Sequence, residues 1–211
     1  MRNMVKAIAG GATLFAGVLC AIGPALAELP PGEATTAVEI SDQDVFYGSA
    51  NAPVTIVEFA SLTCPHCMRF HTEVMAKLKE GVIGEGKVRL IFRDFPLDGL
   101  ALRASALARC GGPERRLAIL DLLFESQPVW RNSKDPLTSL AQIGKLAGLK
   151  EETSRACMED KGMFDQIIAE AQVGEAQHGV RSTPTLIIGE TRYGGGLTAE
   201  DITEIANQIE R

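Results

Sequence analysis

Two cysteines three positions apart, Cys64 and Cys67, stand where the periodicity of the chain changes, and that placement restricts the fold more than any other feature. Ahead of them, residues 54–59 read Val-Thr-Ile-Val-Glu-Phe, with apolar or β-branched residues on both alternating sets, the pattern of a central strand covered on two faces. Behind them, residues 69–78 show helical periodicity. The pattern predicts strand, turn and helix, with both thiols in the first turn of the helix. Free N–H groups and the macrodipole favour an anion there, so Cys64 is the candidate nucleophile. Residues three apart lie on one helix face, so Cys67 can close a disulfide with Cys64 and serve as the resolving thiol.

The residues between them fit the same chemistry. Pro65 suits the first helical position, where its missing N–H deprives nothing of a partner. His66 can add positive charge beside the sulfur. Each unit by which a thiolate pKa falls below ambient pH stabilises the reduced form by about 1.4 kcal/mol, or roughly 30 mV of a two-electron couple. A c-type haem site would need histidine directly after Cys67, and Met68 stands there. A structural zinc site would need a second close pair of ligands, whereas Cys110 and Cys157 are far apart. No metal and no cofactor is expected.

The N-terminus reads as an export signal over residues 1–27. Arg2 and Lys6 form a basic start, residues 7–21 are almost wholly apolar, and Ala25-Leu26-Ala27 offers small residues for cleavage after Ala27. The apolar stretch is shorter than a membrane-spanning helix needs. Cys20 invites a lipid-attachment reading, but bulky Leu19 precedes it. Losing this segment would take the formal net charge from −6 to −8, which suits neither nucleic acid nor an anionic membrane face. Of the five cysteines, four would remain in an oxidising compartment, where disulfides are expected.

Residues 28–44 show no clear periodicity and read as a flexible arm. Residues 45–47 are a short strand candidate, and 88–92 a second buried strand stopped by Arg93-Asp94-Phe95-Pro96. From Leu100 to about Asp160 the period is helical throughout. One helix carries Leu100, Ala104, Leu107 and Cys110; another carries Leu117, Leu120 and Phe124 and is ended by Pro128; a third starts at Asp135-Pro136. Residues 151–159 are a fourth short helix bearing Cys157, and a longer one over 164–178 ends at Gly179. Strands return at 185–188 and 191–193. Thr198 then caps a last helix whose Ile202, Ile205 and Ile209 share a face.

Strand, Cys-x-x-Cys, helix, strand, helical block, an X-Pro before a hairpin, and a last helix: this order resembles the thioredoxin fold with an inserted all-helical domain. With Cys64-Pro65-His66-Cys67 in that context, the chain is similar to the DsbA family of periplasmic thiol:disulfide oxidoreductases. The resemblance also rests on residues 51–54 leading to Glu58-Phe59, and on Thr183-Pro184. It implies an α/β fold with a thioredoxin-like domain over 45–97 and 162–211 and a helical domain over 98–161. It further implies that Thr183-Pro184 is a cis peptide facing the disulfide, where the backbone of Thr183 can pair with an extended substrate strand. Glu58 lies where the family has an acidic residue. A carboxyl in that apolar strand is costly to bury charged, which suits it to passing a proton to or from Cys67. His71, one helical turn beyond Cys67, reads as covering the helix flank, and Trp130 as packing. Gly194-Gly195-Gly196 has no phosphate-loop context. Any exposed part of the insert's apolar stripes could form a groove beside the site.

The expected function is disulfide formation in reduced, unfolded secreted polypeptides, with reoxidation by a membrane quinone-linked partner of the DsbB or VKOR kind. A disulfide isomerase or reductase of the same fold is the alternative, and a copper-handling or chaperone-like binding protein a further one. Thr183 is more typical of the isomerases, whereas the Cys64–Cys67 turn is that of the oxidases. A monomer is expected, because too few residues precede Cys64 for an N-terminal dimerisation domain. Cys110 and Cys157, the other cysteines outside the signal, are expected to form a structural disulfide that the simplest family members lack.

Overall fold

The computed structural model of the protein describes residues 29–210, so the export signal read at 1–27 lies outside the described residues. Six strands form one sheet: β1 (Glu33–Ala34), β2 (Phe46–Tyr47), β3 (Val54–Ala60), β4 (Val88–Asp94), β5 (Thr185–Ile188) and β6 (Thr191–Gly194). Their spatial order is β1-β6-β5-β3-β4-β2. Among the described strands only β3 and β4 run parallel; β3 is paired on both edges, by β4 and β5, and apolar clusters pack on both its faces, Val54 and Ile56 on one and Val57 and Phe59 on the other. Six of its seven residues are buried, which is the physical reason for the unbroken apolar pattern of that stretch.

The active-site helix is not one continuous α-helix. It runs as α1 (Pro65–Arg69), a π-helical segment at Phe70–Val74, and α2 (Met75–Glu80). Helices α3 (Gly99–Cys110), α4 (Pro113–Glu125), α5 (Gln127–Arg131), α6 (Pro136–Leu146) and α7 (Glu151–Cys157) follow β4. Then α8 (Lys161–His178) leads back to β5, and α9 (Ala199–Ile209) closes the chain. Pro128 does not simply end the preceding helix, because it sits in the first turn of α5, a position where the missing N–H costs nothing. Thr198 and Asp201 cap α9 reciprocally, while Ile209 is half exposed and leaves the core face that Ile202 and Ile205 hold.

Residues 28–44 were expected to lack regular structure. Instead Glu33–Ala34 pairs with β6, the backbone N–H of Thr35 donates to Glu190 O at 2.8 Å, and Glu33 pairs with Arg192. Edge pairing of two residues leaves no periodicity to read.

Three apolar clusters sit around the sheet. One joins Ala60, Leu62, Cys64 and Cys67 to the helical block through Phe92, Leu107, Phe124 and Trp130. A second packs one sheet face against α2 and α9, with Ile56, Leu90, Leu78 and Ile202. The third is small, Val57, Phe59, Ile91, Val180 and Ile187, and lies on the other face beneath α8. Gly174 in α8 permits that contact, since a Cβ there would stand 2.5 Å from Phe59 Cε1. Gly174→Ala gains about 1 kcal/mol of helix propensity but forces the ring or the helix to shift, at about 1–3 kcal/mol. A lower stability in urea denaturation is therefore expected, and an unchanged or raised midpoint would show that α8 lifts freely.

Cys110 and Cys157, at the C-terminal ends of α3 and α7, are joined by a disulfide with Cα atoms 6.1 Å apart. It fastens two helices of the block to each other.

Candidate active site

Cys64 takes an extended conformation at the N-cap of α1, with Pro65 in the first helical turn. Cys67 follows one turn later and is completely buried, while Cys64 retains 5% exposure. The two thiols are free of a mutual bond in this structure. Cys64 can therefore meet a partner from outside, and Cys67 only Cys64.

Electrostatics separates the two sulfurs further. The Cys67 thiol, donating to Cys64 Sγ, is the largest cause of a Cys64 pKa lowered to about 5, against the opposing effect of burial. Thr183 and the backbone N–H groups of Cys67 and His66 lower it as well. In its thiol form Cys64 donates to Thr183 O at 3.4 Å. Ionisation removes that donor, and the Thr183 hydroxyl, which has no other partner, is left to turn toward the thiolate. Cys67 moves the opposite way: burial first, then its bond to Cys64 and the charge of Glu58, push it far above the ordinary thiol range.

Arg69 Nη2 lies 2.8 Å from His66 Nδ1, and a guanidinium can only donate, so in this contact the ring nitrogen accepts. Arg69 thereby brings a positive charge beside His66, whose backbone N–H serves Cys64.

The Thr183-Pro184 peptide is cis and lies against Cys64 through Thr183 O. Glu58 is fully buried in β3, with Phe92 of β4 and Leu186 of β5 as its register partners. Its Oε2 meets His71 Nε2 at 2.8 Å. The structure thus brings Cys64, Cys67, Pro65, His66, Thr183, Pro184 and Glu58 to one end of the sheet, with Cys110 and Cys157 bonded within the helical block.

Three contributors escaped the sequence reading. Gln127, buried at the start of α5, donates from Nε2 to Leu62 O at 2.7 Å and to Cys64 O at 3.0 Å. It ties the loop before the nucleophile to the helical block, and Asp98 does the same by accepting from Thr63 Oγ1 at 2.7 Å. Nothing local marks a glutamine 63 residues away for that task. His71 is the third: it is buried against Glu58 instead of covering a flank, and its position four residues beyond Cys67 was the only signal.

A groove of ≈ 850 Å³ opens beside the cis-proline loop. Phe70, Val74, Pro184, Leu197 and Ala199 supply its apolar floor, and Arg69, Glu73, Lys77 and Glu200 its charged surroundings. None of its lining comes from residues 98–161, so the groove belongs to the sheet side and not to the insert's apolar stripes.

A family model described as Thioredoxin matches residues 41–208. The structure superposes on that of Wolbachia pipientis alpha-DsbA1 with a TM-score of 0.74 and 30% identity, covering 81% of this chain and 92% of that one. The chain belongs to the DsbA family. BdbD from Bacillus subtilis shares the fold at 22% identity with a TM-score of 0.72, over 84% of this chain and 98% of that one. In sequence, this DsbA-family chain is 25% identical to Disulfide bond formation protein D of Bacillus subtilis, over 68% of its own length and 66% of the relative's. It is 30% identical to a Rickettsia bellii protein named provisionally as a protein-disulfide oxidoreductase, over 62% and 51% respectively. The chain spans between half and two thirds of the length of these and other curated relatives that it matches. No helix among the described residues of this DsbA-family chain is long and apolar enough to cross a membrane.

Proposed function

We propose that the chain is an exported thiol:disulfide oxidoreductase working as a dithiol oxidase on reduced, unfolded secreted polypeptides. The observation that carries this reading is the opposed shift of the two thiols, Cys64 down to about 5 and Cys67 far up. A stable Cys64 thiolate favours the reduced enzyme, which makes the disulfide form a strong electron acceptor.

A substrate thiolate attacks Cys64 Sγ, the bond to Cys67 breaks, and a mixed disulfide forms. A second substrate thiol then displaces Cys64, leaving a substrate disulfide and a reduced enzyme. The backbone of Thr183 beside Cys64 and the apolar groove next to it suit an unfolded chain held with little sequence preference. Reoxidation falls to a membrane quinone-linked partner of the DsbB or VKOR kind, and the enzyme acts as a monomer. Export follows from the signal read over residues 1–27.

The Thr183 hydroxyl favours a second reading, a disulfide isomerase or reductase, because it bears on release of the bound sulfur. The two separate in one pair of assays: a reduced unfolded substrate, and a scrambled one in thiol buffer. Fast oxidation of the first with slow rescue of the second is expected, and the reverse would make the isomerase reading the better one.

A further inference from the structure

A buried histidine that only fills space is satisfied at both ring nitrogens or kept from polar neighbours altogether, and His71 is neither. Its ring is caged by aromatic groups, stacked on Phe124 of α4 at 4.0 Å between centroids and edge-on to Phe70 and to Phe92 of β4. That cage holds the ring so that Nε2 meets Glu58 Oε2 at 2.8 Å. Both side chains are almost wholly shielded, at 2% and 0% exposure. Yet His71 Nδ1 and Glu58 Oε1 are buried with no partner. Two unmatched polar atoms within one apolar cage are a cost that packing alone does not explain.

One proton must lie between Nε2 and Oε2 for the contact to be a hydrogen bond at all. A second proton on the pair gives either carboxylate with imidazolium or carboxylic acid with imidazole, and both are neutral overall. The pair therefore stores an exchangeable proton without net charge, which a lone buried glutamate could do only in its acid form. Resting on the thiol exchange proposed above, we infer that His71 is a positioning residue that makes Glu58 the proton donor and acceptor for Cys67.

When a substrate thiolate attacks Cys64, the electron pair of the broken S–S bond passes to Cys67 Sγ. The Cys67 thiolate takes the stored proton, leaving a Glu58 carboxylate that accepts from the neutral His71 Nε2–H. In reoxidation Cys67 returns its proton to Glu58, and its thiolate attacks Cys64 in the mixed disulfide formed with a disulfide-bearing oxidant, whose sulfur leaves as a thiolate. Glu58 acts electrostatically on Cys67, so its ionisation bears on that step.

The other ionisable groups around the pair are engaged among themselves. Tyr47 of β2 donates to Asp121 of α4 at 2.8 Å, and Lys79 of α2 pairs with Asp121 and lies over the Tyr47 ring. Burial and the charges of Asp121 and Glu58 push the Tyr47 phenol up, which keeps it protonated. From β4 and β5 only Phe92 and Leu186 stand opposite Glu58, and neither titrates. Cys67 on α1 is buried in the same apolar cluster as Phe92 and Phe124, the rings that flank His71, and it feels the charge of Glu58.

The test follows the rate at which Cys67 expels glutathione from a Cys64–glutathione mixed disulfide as pH is varied, in the wild type, His71→Gln, Glu58→Gln and the double variant. His71→Gln should slow this step by about ten-fold and flatten its pH profile, while the Cys64 thiolate titration stays where it is. The double variant should be no slower than the slower single one, because the two side chains act as a unit. Unchanged rate and profile in His71→Gln, or single effects that multiply, would overturn the inference. Should His71→Gln fail to fold, histidine-labelled wild type decides by NMR: the His71 ring signals must shift where the rate changes, as the pair gains and loses its proton, and signals that stay invariant there refute the role. Failure of wild-type Cys64 to form the mixed disulfide would instead bring down the thiol-exchange reading, and this inference with it.

Discussion

Cys64→Ala reduces thiol–disulfide exchange to the uncatalysed background, whereas Cys67→Ala still reacts once and accumulates a mixed disulfide at Cys64. The asymmetry follows from the N-cap position of Cys64, which keeps 5% exposure, and the complete burial of Cys67. In the reduced wild type, alkylation at mildly acidic pH should label Cys64 alone and slow as the pH falls through about 5. The folded-state pKa of Cys64 is depressed below its unfolded value near 8.5, so its contribution to stability is fully present above the unfolded value. It is lost as pH falls through the folded value. The reduced protein should accordingly melt above the oxidised one at neutral pH, with the gap narrowing toward pH 5. Preferential labelling of Cys67, or a gap that widens on acidification, would contradict this assignment.

Asp94→Ala should cost about 3–5 kcal/mol of stability, the largest effect expected away from the cysteines. Asp94 ends β4 with 1% exposure and receives Arg109 at 2.7 Å and Arg116 at 3.0 Å, which joins the sheet to α3 and α4. Glu170 of α8 also pairs with Arg109, but it is half exposed and leaves Arg116 without a counter-charge. Burial by itself would push the Asp94 carboxyl up, yet Arg116 and Arg109 together with Ser105 hold it below the ordinary carboxylate range. This stabilisation is present above the unfolded pKa of about 3.9 and disappears as pH falls through the lower folded value. Urea denaturation of the variant at neutral pH checks the magnitude. A loss under about 1 kcal/mol would mean that the two guanidinium groups find water or other partners.

The charged triad of Asp94, Arg109 and Arg116 was invisible in the sequence because its members come from three elements and match no spacing rule. The same holds for Gln127. Its amide reaches Leu62 O and Cys64 O only because α5 packs behind the active-site loop. Nor does the sequence show that the thiol of Cys67 has the largest effect on the Cys64 pKa, or that Arg69, one turn on, donates to the His66 ring. The edge strand at Glu33–Ala34 escaped notice for another reason, since two residues are too few to show an alternation.

What the sequence determined by itself was local and periodic. The two-faced apolar run of β3, proline after the N-cap cysteine and the threonine cap of α9 each express a rule confined to one turn or one strand, so neighbouring residues suffice to state it. The resemblance carried by the cysteine turn and by Thr183-Pro184 extended that reading to the whole architecture. The tertiary structure alone decided which polar groups meet. Glu58 faces His71 because the π-helical segment and the Phe124 ring turn that side chain inward, and Asp94 meets its arginines because β4 ends beneath α3 and α4. Burial makes such contacts strong by removing water, and burial is a property of the packed chain that no local stretch of sequence encodes.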